Sequence, residues 1–174
     1  MSGGDAVSLV PFDRSRAPLL AEWLARPHVA RWYPDPDARL EWALDPPPGG
    51  ANALIVCDDR PIGYLSWRKV ARETLDALGL GEIPAGSVDI DILIGETGDI
   101  GRGLGPRALA LLIDRLRADP SVPLAGLSPS VENFAAQRAY EKAGFRKVRE
   151  YEMPGLGRGA LMVMPLDRAS SGLS

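Results

Sequence analysis

Apolar and polar residues recur along this chain with two periods, and these periods predict its secondary structure. A two-residue alternation, or a short apolar run bounded by turn residues, predicts a strand, and apolar positions three or four residues apart predict a helix. We therefore expect helices at 19–24, 37–44, 106–116 and 132–142, with Pro27 ending or kinking the first. Strands are expected at 7–12, 53–57, 62–70, 88–94, 123–127, 145–151 and 160–166.

The connections between these elements predict the fold class. Asp58-Asp59-Arg60-Pro61 is a turn sequence, so the strands on either side of it form a hairpin. Residues 71–86 show no clear period and are expected to form an ordered surface loop with room for a helical turn. Because hairpins join the middle strands, we expect a single α/β domain with a mixed sheet. The domain is expected to span 1–168, with a frayed tail at 169–174.

Composition and charge exclude several classes of partner. The chain of 174 residues is 45% hydrophobic and 25% charged, as an ordinary globular domain is. Its net charge of -3 gives no reason to expect nucleic acid and suits a small cationic ligand. No apolar run reaches the length needed to cross a membrane, and residues 1–5 lack a signal-peptide pattern. We therefore expect a cytoplasmic protein without nucleic-acid or membrane partners.

The single cysteine and the single histidine limit the available chemistry. Cys57 ends the apolar run Ala53-Leu54-Ile55-Val56-Cys57, so it is expected to be a small buried hydrophobe and not a nucleophile. Without a second cysteine it has no internal disulfide partner, which favours a reducing compartment. His28 follows a proline, where a histidine more often caps or packs than catalyses. These two residues are too few for a zinc site, and no metal is expected.

The segment Gly101-Arg102-Gly103-Leu104-Gly105 lies between a predicted strand and a predicted helix and has the character of a phosphate-binding loop. Glycines let the backbone approach a ligand and turn its amides inward, and a helix N-terminus adds partial positive charge. Arg102 could add a full charge. The loop lacks the Gly-Lys-Ser/Thr ending of a P-loop, and its mid-chain position does not match a dinucleotide fold.

Two motifs together resemble the GNAT acetyltransferase superfamily. The first is its coenzyme A loop, written Gln/Arg-x-x-Gly-x-Gly/Ala, in which Gly103 and Gly105 take the glycine positions and Ile100 the first position. The second is Asn133-x-x-Ala136-x-x-x-Tyr140-Glu141-Lys142-x-Gly144-Phe145. Pro106 departs from the first motif, because it has no amide hydrogen to offer a phosphate.

The resemblance implies an acetyl-CoA-binding enzyme whose mixed central sheet has splayed strands flanked by helices. It implies that a backbone amide near Leu93 or Ile94 donates to the acetyl carbonyl oxygen. It also places Asn133 against the cofactor backbone and Tyr140 near the thioester sulfur, where a phenol can protonate the leaving thiolate. The residues expected to contact the cofactor are Leu93, Ile94, Ile100, Gly101, Arg102, Gly103, Leu104, Gly105, Pro106, Asn133, Ala136 and Tyr140.

Further segments resemble one branch of the superfamily, the aminoglycoside 6′-N-acetyltransferases. They are Glu22–Trp32, Pro61-Ile62-Gly63-Tyr64, Val88-Asp89-Ile90-Asp91 and Ser128-Pro129-Ser130. Ser128 stands where those enzymes tend to have an aspartate. Siderophore-type lysine acyltransferases share much of this layout.

The acceptor side of the site is predicted around two aspartates. Asp91, at the place where aminoglycoside enzymes carry a functional aspartate, is the candidate base that takes a proton from the amine and orients it. Asp89 points to the same strand face, and the alternative for both is an ordinary solvated face. Trp32 and Tyr33 are candidate walls of the acceptor pocket, with core packing as the alternative. Ser128 completes the predicted acceptor contacts.

The function expected from these observations is transfer of the acetyl group of acetyl-CoA to a primary amine of a small, polar, aminoglycoside-like acceptor. The alternatives are an acyltransferase acting on a siderophore precursor, on lysine or on a protein N-terminus, and a non-catalytic acyl-CoA-binding module. A monomer or a homodimer is expected.

Overall fold

The computed structural model describes residues 5–166, which fall into two compact units. Within this range the first unit comprises 5–67 and 91–111, and the second comprises 68–90 and 112–166. The predicted tail at 169–174 lies outside the described residues, and the predicted domain span of 1–168 stays a prediction.

The N-terminal part of the first unit pairs a strand with a hairpin. Strands β1, β2 and β3 are Val7–Pro11, Gly50–Cys57 and Arg60–Lys69, and β1 is antiparallel to β2. The hairpin turn is shorter than the predicted Asp58-Asp59-Arg60-Pro61. Asp58 and Asp59 have φ values of 50° and 65°, the left-handed pair that a tight two-residue hairpin turn requires.

Three helices of the first unit lie between β1 and β2. After a 3-10 turn at Arg14–Arg16 come α1 (Ala17–Ala25), α2 (Pro27–Ala30) and α3 (Pro36–Leu44). The predicted break at Pro27 is present, because a residue that precedes proline is pushed into an extended conformation, and Arg26 has ψ of 135°. Trp23 of α1 is fully buried in the apolar core of this unit, with Leu20, Leu24, Leu54 and Tyr64.

The second unit contains a helix where the sequence shows no clear period. Within the predicted surface loop 71–86, Arg72–Ala77 forms α4, and Leu75, Leu80 and Ile83 are buried against Leu161 and Val163. The remaining elements of this unit are β5 (Leu124–Leu127), α6 (Phe134–Lys142), β6 (Arg146–Met153) and β7 (Gly157–Pro165).

Three elements remain, and they lie in the middle of the chain between α4 and β5. They are strand β4 (Val88–Ile94), a 3-10 turn at Thr97–Asp99 and helix α5 (Leu104–Arg117). The helix begins at Leu104 and not at the predicted Pro106, which is therefore its third residue. The strands are ordered β1-β2-β3-β4-β5-β7-β6. Strand β4 is parallel to β5, and β7 is antiparallel to both β5 and β6. The predicted fold class, an α/β fold with a mixed sheet, is confirmed.

Candidate active site

The glycine loop precedes α5 in the first unit and exposes bare backbone. Gly101 and Gly103 have φ values of +81° and +72°, which residues with a Cβ rarely adopt. A Cβ built on Gly101, Gly103 or Gly105 would meet no atom of the described residues within 4 Å. The space beside the loop is therefore open to a phosphate group, which can approach the backbone closely.

The first turn of α5 supplies donors for such a group. The N–H groups of a helix's first turn have no carbonyl partner inside the helix. Leu104 and Gly105 carry such N–H groups, whereas Pro106 has none. The Arg107 amide already donates to the Gly103 carbonyl at 3.3 Å. The residues present thus fit a pyrophosphate at this helix end, with Leu104 and Gly105 as amide donors.

Arg102, which was predicted to contribute its charge to the loop, is held by two carboxylates. Its guanidinium lies 2.9 Å from Asp99 Oδ1 and 2.8 Å from Asp5 Oδ2. Asp99 is 4% exposed and also accepts two hydrogen bonds, of 2.9 and 2.8 Å, from Arg60. The Arg60 guanidinium, helped by Arg102, holds the pKa of Asp99 below its usual range. Arg102 is therefore neutralised locally, which leaves the backbone amides as the donors of this loop that a phosphate could use.

Asp99 and Arg60 form an anchor for the glycine loop that does not stand out in the sequence. Asp99 lies in a Thr-Gly-Asp segment that resembles any polar turn, and its partner Arg60 is 39 residues away in the hairpin. The one indirect signal is that both residues sit next to structural turns.

Asp91, the predicted base, has two partners within the first unit. Tyr33 donates a hydrogen bond of 2.7 Å to its Oδ1, and Arg39 of α3 pairs with its Oδ2 at 2.9 Å. The Asp91 side chain is still 33% exposed. A carboxylate has about four lone-pair positions, so capacity remains for a further donor. Arg39 is an addition to the predicted site, and no local pattern links it to Asp91.

Trp32 and His28 have contacts that define their environment. The guanidinium carbon of Arg31 lies 4.4 Å from the centroid of the Trp32 ring, so one face of the indole is covered. His28 Nε2 lies 3.0 Å from the carbonyl oxygen of Ile94, an arrangement that needs the ring proton on Nε2. His28 therefore joins α2 to the end of β4.

Leu93 and Ile94 were predicted to offer a backbone amide to the acetyl group. The Leu93 side chain is 6% exposed and packs in the core of the first unit. The buried residues of β4 are Val88, Ile90 and Leu93, so the two-residue alternation changes phase before Leu93. A β-bulge has this effect on a strand. The amide donor itself stays a prediction.

In the second unit, the signature residues of α6 take part in a helix cap. Asn133 is the N-cap, and its side-chain oxygen accepts a hydrogen bond of 3.1 Å from the Ala136 amide. The NH2 group of Asn133 remains as a donor. Tyr140 lies on the same helix and is half-buried. The predicted cofactor contacts of Asn133, Ala136 and Tyr140 stay predictions.

Asp89 and Ser128, the other predicted acceptor contacts, both belong to the second unit. Asp89 is exposed and pairs with Gly126 in the parallel register of β4 and β5. Ser128 follows β5, and its hydroxyl accepts a hydrogen bond of 2.7 Å from Tyr151. Burial raises the pKa of Tyr151, which keeps this phenol protonated as a donor. Asp89, Ser128 and Tyr151 line one cavity of this unit.

Cys57 is 3% exposed, in agreement with the expected packing role, and burial raises the pKa of its thiol. Its sulfur lies within 4.8 Å of carboxylate oxygens of Asp5 and Asp58. Both carboxylates have other partners: Asp58 Oδ1 accepts from the Ala6 amide at 2.9 Å, and Asp5 Oδ2 pairs with Arg102. A neutral thiol beside two engaged carboxylates is a poor metal site.

Residues 13–153 match the model of the acetyltransferase (GNAT) domain family. This chain therefore belongs to the GNAT acetyltransferase family, as the two sequence motifs predicted, and the predicted enzyme class is confirmed. Within the described residues, no helix is both long enough and apolar enough to cross a membrane.

The relatives of this chain include enzymes that modify aminoglycosides. An aminoglycoside N(6')-acetyltransferase type 1 of Klebsiella pneumoniae is 29% identical over 155 residues, which are 84% of this chain and 77% of that protein. The structure of AAC(6')-Ib with ribostamycin and coenzyme A has a TM-score of 0.79 at 27% identity and covers 98% of both chains. The same enzyme with coenzyme A and kanamycin gives 0.77 at 28% identity, over 92% of this chain and 95% of that one.

Proposed function

We propose that this protein transfers the acetyl group of acetyl-CoA to a primary amine of a small polar acceptor of the aminoglycoside class. The observation that carries the proposal is the open glycine loop at the start of α5, in a chain that belongs to an acetyltransferase family. Relatives solved with coenzyme A and aminoglycosides support both substrates.

The glycine loop is the proposed cradle for the cofactor's pyrophosphate. Gly101 and Gly103 keep the backbone accessible, and the amides of Leu104 and Gly105 donate to the phosphate oxygens. Asp99 fixes the loop through its bonds to Arg60 and Arg102. The remaining cofactor contacts follow the family resemblance: Ile100, Pro106, Leu93 and Ile94, and Asn133, Ala136 and Tyr140 on the side of α6.

Bound acetyl-CoA supplies a thioester, so transfer forms a bond between the amine nitrogen and the acetyl carbon and breaks the carbon–sulfur bond, whose electron pair leaves with sulfur. The amine nitrogen must lose one proton and the sulfur must gain one. Asp91 accepts the first, directly or through water, and the Tyr140 hydroxyl delivers the second. The products are an N-acetylated acceptor and free coenzyme A.

Arg39 and Tyr33 are proposed to control which form of the amine binds at Asp91 and how the Asp91 carboxylate is oriented. A fixed positive charge 2.9 Å from the Asp91 carboxylate opposes binding of an ammonium and favours the neutral amine, which is the form that attacks a thioester. The Tyr33 hydroxyl holds the carboxylate in one orientation. Trp32, Asp89 and Ser128 are the remaining proposed acceptor contacts.

Thiol release from acetyl-CoA tests the proposal across kanamycin, ribostamycin, polyamines and lysine derivatives. We expect turnover with at least one amine, and a lower kcat in Asp91→Asn than in the native enzyme when the two are compared at the same pH. Binding of coenzyme A without turnover on any amine would contradict the proposal and indicate an acyl-CoA-binding module.

We also propose a cytoplasmic location and a monomeric or homodimeric state. The sequence has one cysteine, so the fold does not depend on an internal disulfide and suits a reducing compartment. Light scattering at several protein concentrations measures the molar mass of the protein in solution. A stable assembly larger than a dimer would contradict the proposed monomeric or homodimeric state.

A further inference from the structure

The end of strand β4 and the residue after it lie in the first unit and are held there from two sides. The Gly95 amide donates a hydrogen bond of 2.8 Å to the Ile62 carbonyl of β3, and His28 Nε2 donates one of 3.0 Å to the Ile94 carbonyl. The Ile94 carbonyl and the Gly95 amide belong to one planar peptide group. Hydrogen bonds at both ends of this group therefore fix its orientation.

Two glycines let the backbone around this peptide group pack directly against its neighbours. A Cβ built on Gly95 would overlap the indole ring of Trp23, which is fully buried. A Cβ built on Gly63 would overlap the carbonyl oxygen of Leu93. The backbone of residues 93–95 is therefore packed against an aromatic ring and against strand β3, with no side chain in between.

These contacts decide on which edge of β4 each predicted amide donor lies. In a strand, the N–H and C=O of one residue point to the same edge, and successive residues alternate between the two edges. The Gly95 amide bonds to β3, so Leu93, two residues earlier, faces β3 as well. Ile94 therefore faces the opposite edge, where its carbonyl meets His28. Of the two predicted donors, Leu93 points its amide towards β3 and Ile94 points its amide away from it.

His28 cannot take the amine proton at the nitrogen that binds β4. A carbonyl oxygen only accepts hydrogen bonds, so His28 Nε2 already carries a proton when it bonds to Ile94. The His28 side chain is half-buried, and Val29, the next residue of α2, is 3% exposed and packs in the core of the first unit. The imidazole is therefore well placed to hold a backbone group in position.

A second side chain, close to His28 in the chain, holds β4 in a similar way. The Tyr33 hydroxyl lies 3.3 Å from the Ile92 carbonyl oxygen and donates a hydrogen bond of 2.7 Å to Asp91, the proposed base. Ile92 lies between Asp91 and Ile94 in the strand. His28 and Tyr33 thus hold the stretch of backbone that connects the proposed base to the predicted amide donor.

We propose that His28 is a positioning residue of the acetyl transfer, which holds the backbone at Ile94 so that the Ile94 N–H donates to the acetyl carbonyl oxygen. The inference rests on the proposed acetyltransferase function and assigns its amide donor to Ile94. When the amine nitrogen bonds to the acetyl carbon, one electron pair of the C=O bond moves to the oxygen. That pair returns when the carbon–sulfur bond breaks. A donor fixed in advance stabilises the negative oxygen without reorganisation.

Two substitutions of His28 test the role in the thiol-release assay. His28→Leu has no N–H donor, whereas the side-chain amide of His28→Gln can donate to the Ile94 carbonyl. We expect His28→Leu to lower kcat at least about tenfold and to leave the KM of acetyl-CoA within about twofold, since the donor acts on charge that develops in the transition state. His28→Gln should keep kcat within about threefold of the native value.

Two results would overturn the inference: native kcat in His28→Leu, or an equal loss of kcat in both variants. If His28→Leu does not fold, His28→Met also lacks a donor and has a more adaptable side chain. Asp13→Ala is the matched control, because it removes a hydrogen bond of 2.8 Å between an exposed side chain of the first unit and the Ser15 amide. It should keep native kcat, and a loss equal to that of His28→Leu would contradict the positioning role.

Infrared difference spectroscopy of bound acetyl-CoA, labelled with carbon-13 at the acetyl carbonyl, tests the same contact without an amine. A hydrogen bond to a carbonyl oxygen lowers its stretching frequency, so we expect a higher frequency in His28→Leu than in the native protein and in His28→Gln. Absence of turnover on every amine, together with this frequency difference, would reject the acetyltransferase proposal and retain the positioning role. Equal frequencies in the native protein and His28→Leu would reject the positioning role, whatever the turnover.

Discussion

Helices α5 and α6 both begin at segments that resemble cofactor-binding motifs, but their first turns are completed in different ways. At α5 the preceding glycines leave open space beside the backbone, and the N–H groups of Leu104 and Gly105 in its first turn have no carbonyl partner inside the helix. At α6 the Asn133 side chain caps the Ala136 amide. The helix whose amides stay available can bind an external anion, whereas the capped helix is better suited to positioning side chains such as Tyr140.

The largest effect that this contrast predicts is a fall in kcat when Tyr140 of α6 is replaced. Tyr140→Phe removes the proposed acid and should lower kcat by about 100-fold, a typical contribution of a general acid. The dissociation constant of coenzyme A should stay within about twofold of the native value, since the Tyr140 phenol is not among the groups proposed to bind the phosphates. Steady-state kinetics and calorimetry measure the two quantities, and an unchanged kcat would remove Tyr140 from the mechanism.

The next effect concerns the anchor of the loop before α5. Asp99→Asn removes a buried negative charge that faces two guanidinium groups, so we expect a loss of about 2 kcal/mol in the free energy of unfolding. Asp114→Asn, an exposed change on α5, should alter it by less than about 0.5 kcal/mol. Urea denaturation at pH 7 gives both values.

The pH dependence of Asp99→Asn provides an independent check. Arg60 and Arg102 lower the pKa of Asp99 in the folded state below its value of about 3.9 in the unfolded chain. The contribution of Asp99 is therefore complete above about pH 4 and is lost as the pH falls through the folded-state pKa. The stability difference between native protein and Asp99→Asn should shrink below pH 4. A constant difference would contradict the ion-pair explanation.

The sequence predicts the secondary structure of this protein better than it predicts the contacts within the site. Strand Val88–Ile94 has the predicted bounds, because alternation directly records which side chains face the core. The loop glycines were predicted to keep the backbone accessible, but residue type does not say which of them adopt positive φ, since Gly101 and Gly103 do and Gly105 does not. Residues 71–86 were predicted less well, because their buried residues come from a short helix and a loop and share no period.

The ion pairs of the site could not be predicted from the periodicity or the composition of the sequence. Arg39 and Asp91 are far apart in the chain, and so are Arg60 and Asp99. With 20 basic and 23 acidic residues in the sequence, composition cannot say which pairs meet. Only tertiary structure shows that Asp91 has a tyrosine and an arginine, Tyr33 and Arg39, as partners.

The next prediction addresses the open space beside α5. Gly103→Val forces a branched residue into positive φ, at about 1–2 kcal/mol or more, and places methyl groups where phosphate is proposed to bind. The dissociation constant of coenzyme A should rise at least about tenfold. Gly98→Ala is the matched control, since it also points into open space but needs no positive φ. Similar affinities in both variants would show that the loop does not hold the cofactor.

The smallest expected effect distinguishes the two roles of Asn133. Asn133→Ala removes the cap and should lower the free energy of unfolding by about 1 kcal/mol, whereas Asn133→Ser, which retains a capping oxygen, should stay close to the native value. If the NH2 group also contacts the cofactor, as the family resemblance implies, Asn133→Ser should weaken coenzyme A binding by about two- to tenfold, the effect of one hydrogen bond. If Asn133→Ser binds coenzyme A with native affinity, the role of Asn133 is restricted to capping α6. The two helices would then differ fully, since the first turn of α5 would bind the phosphates and that of α6 would be capped by its own side chain.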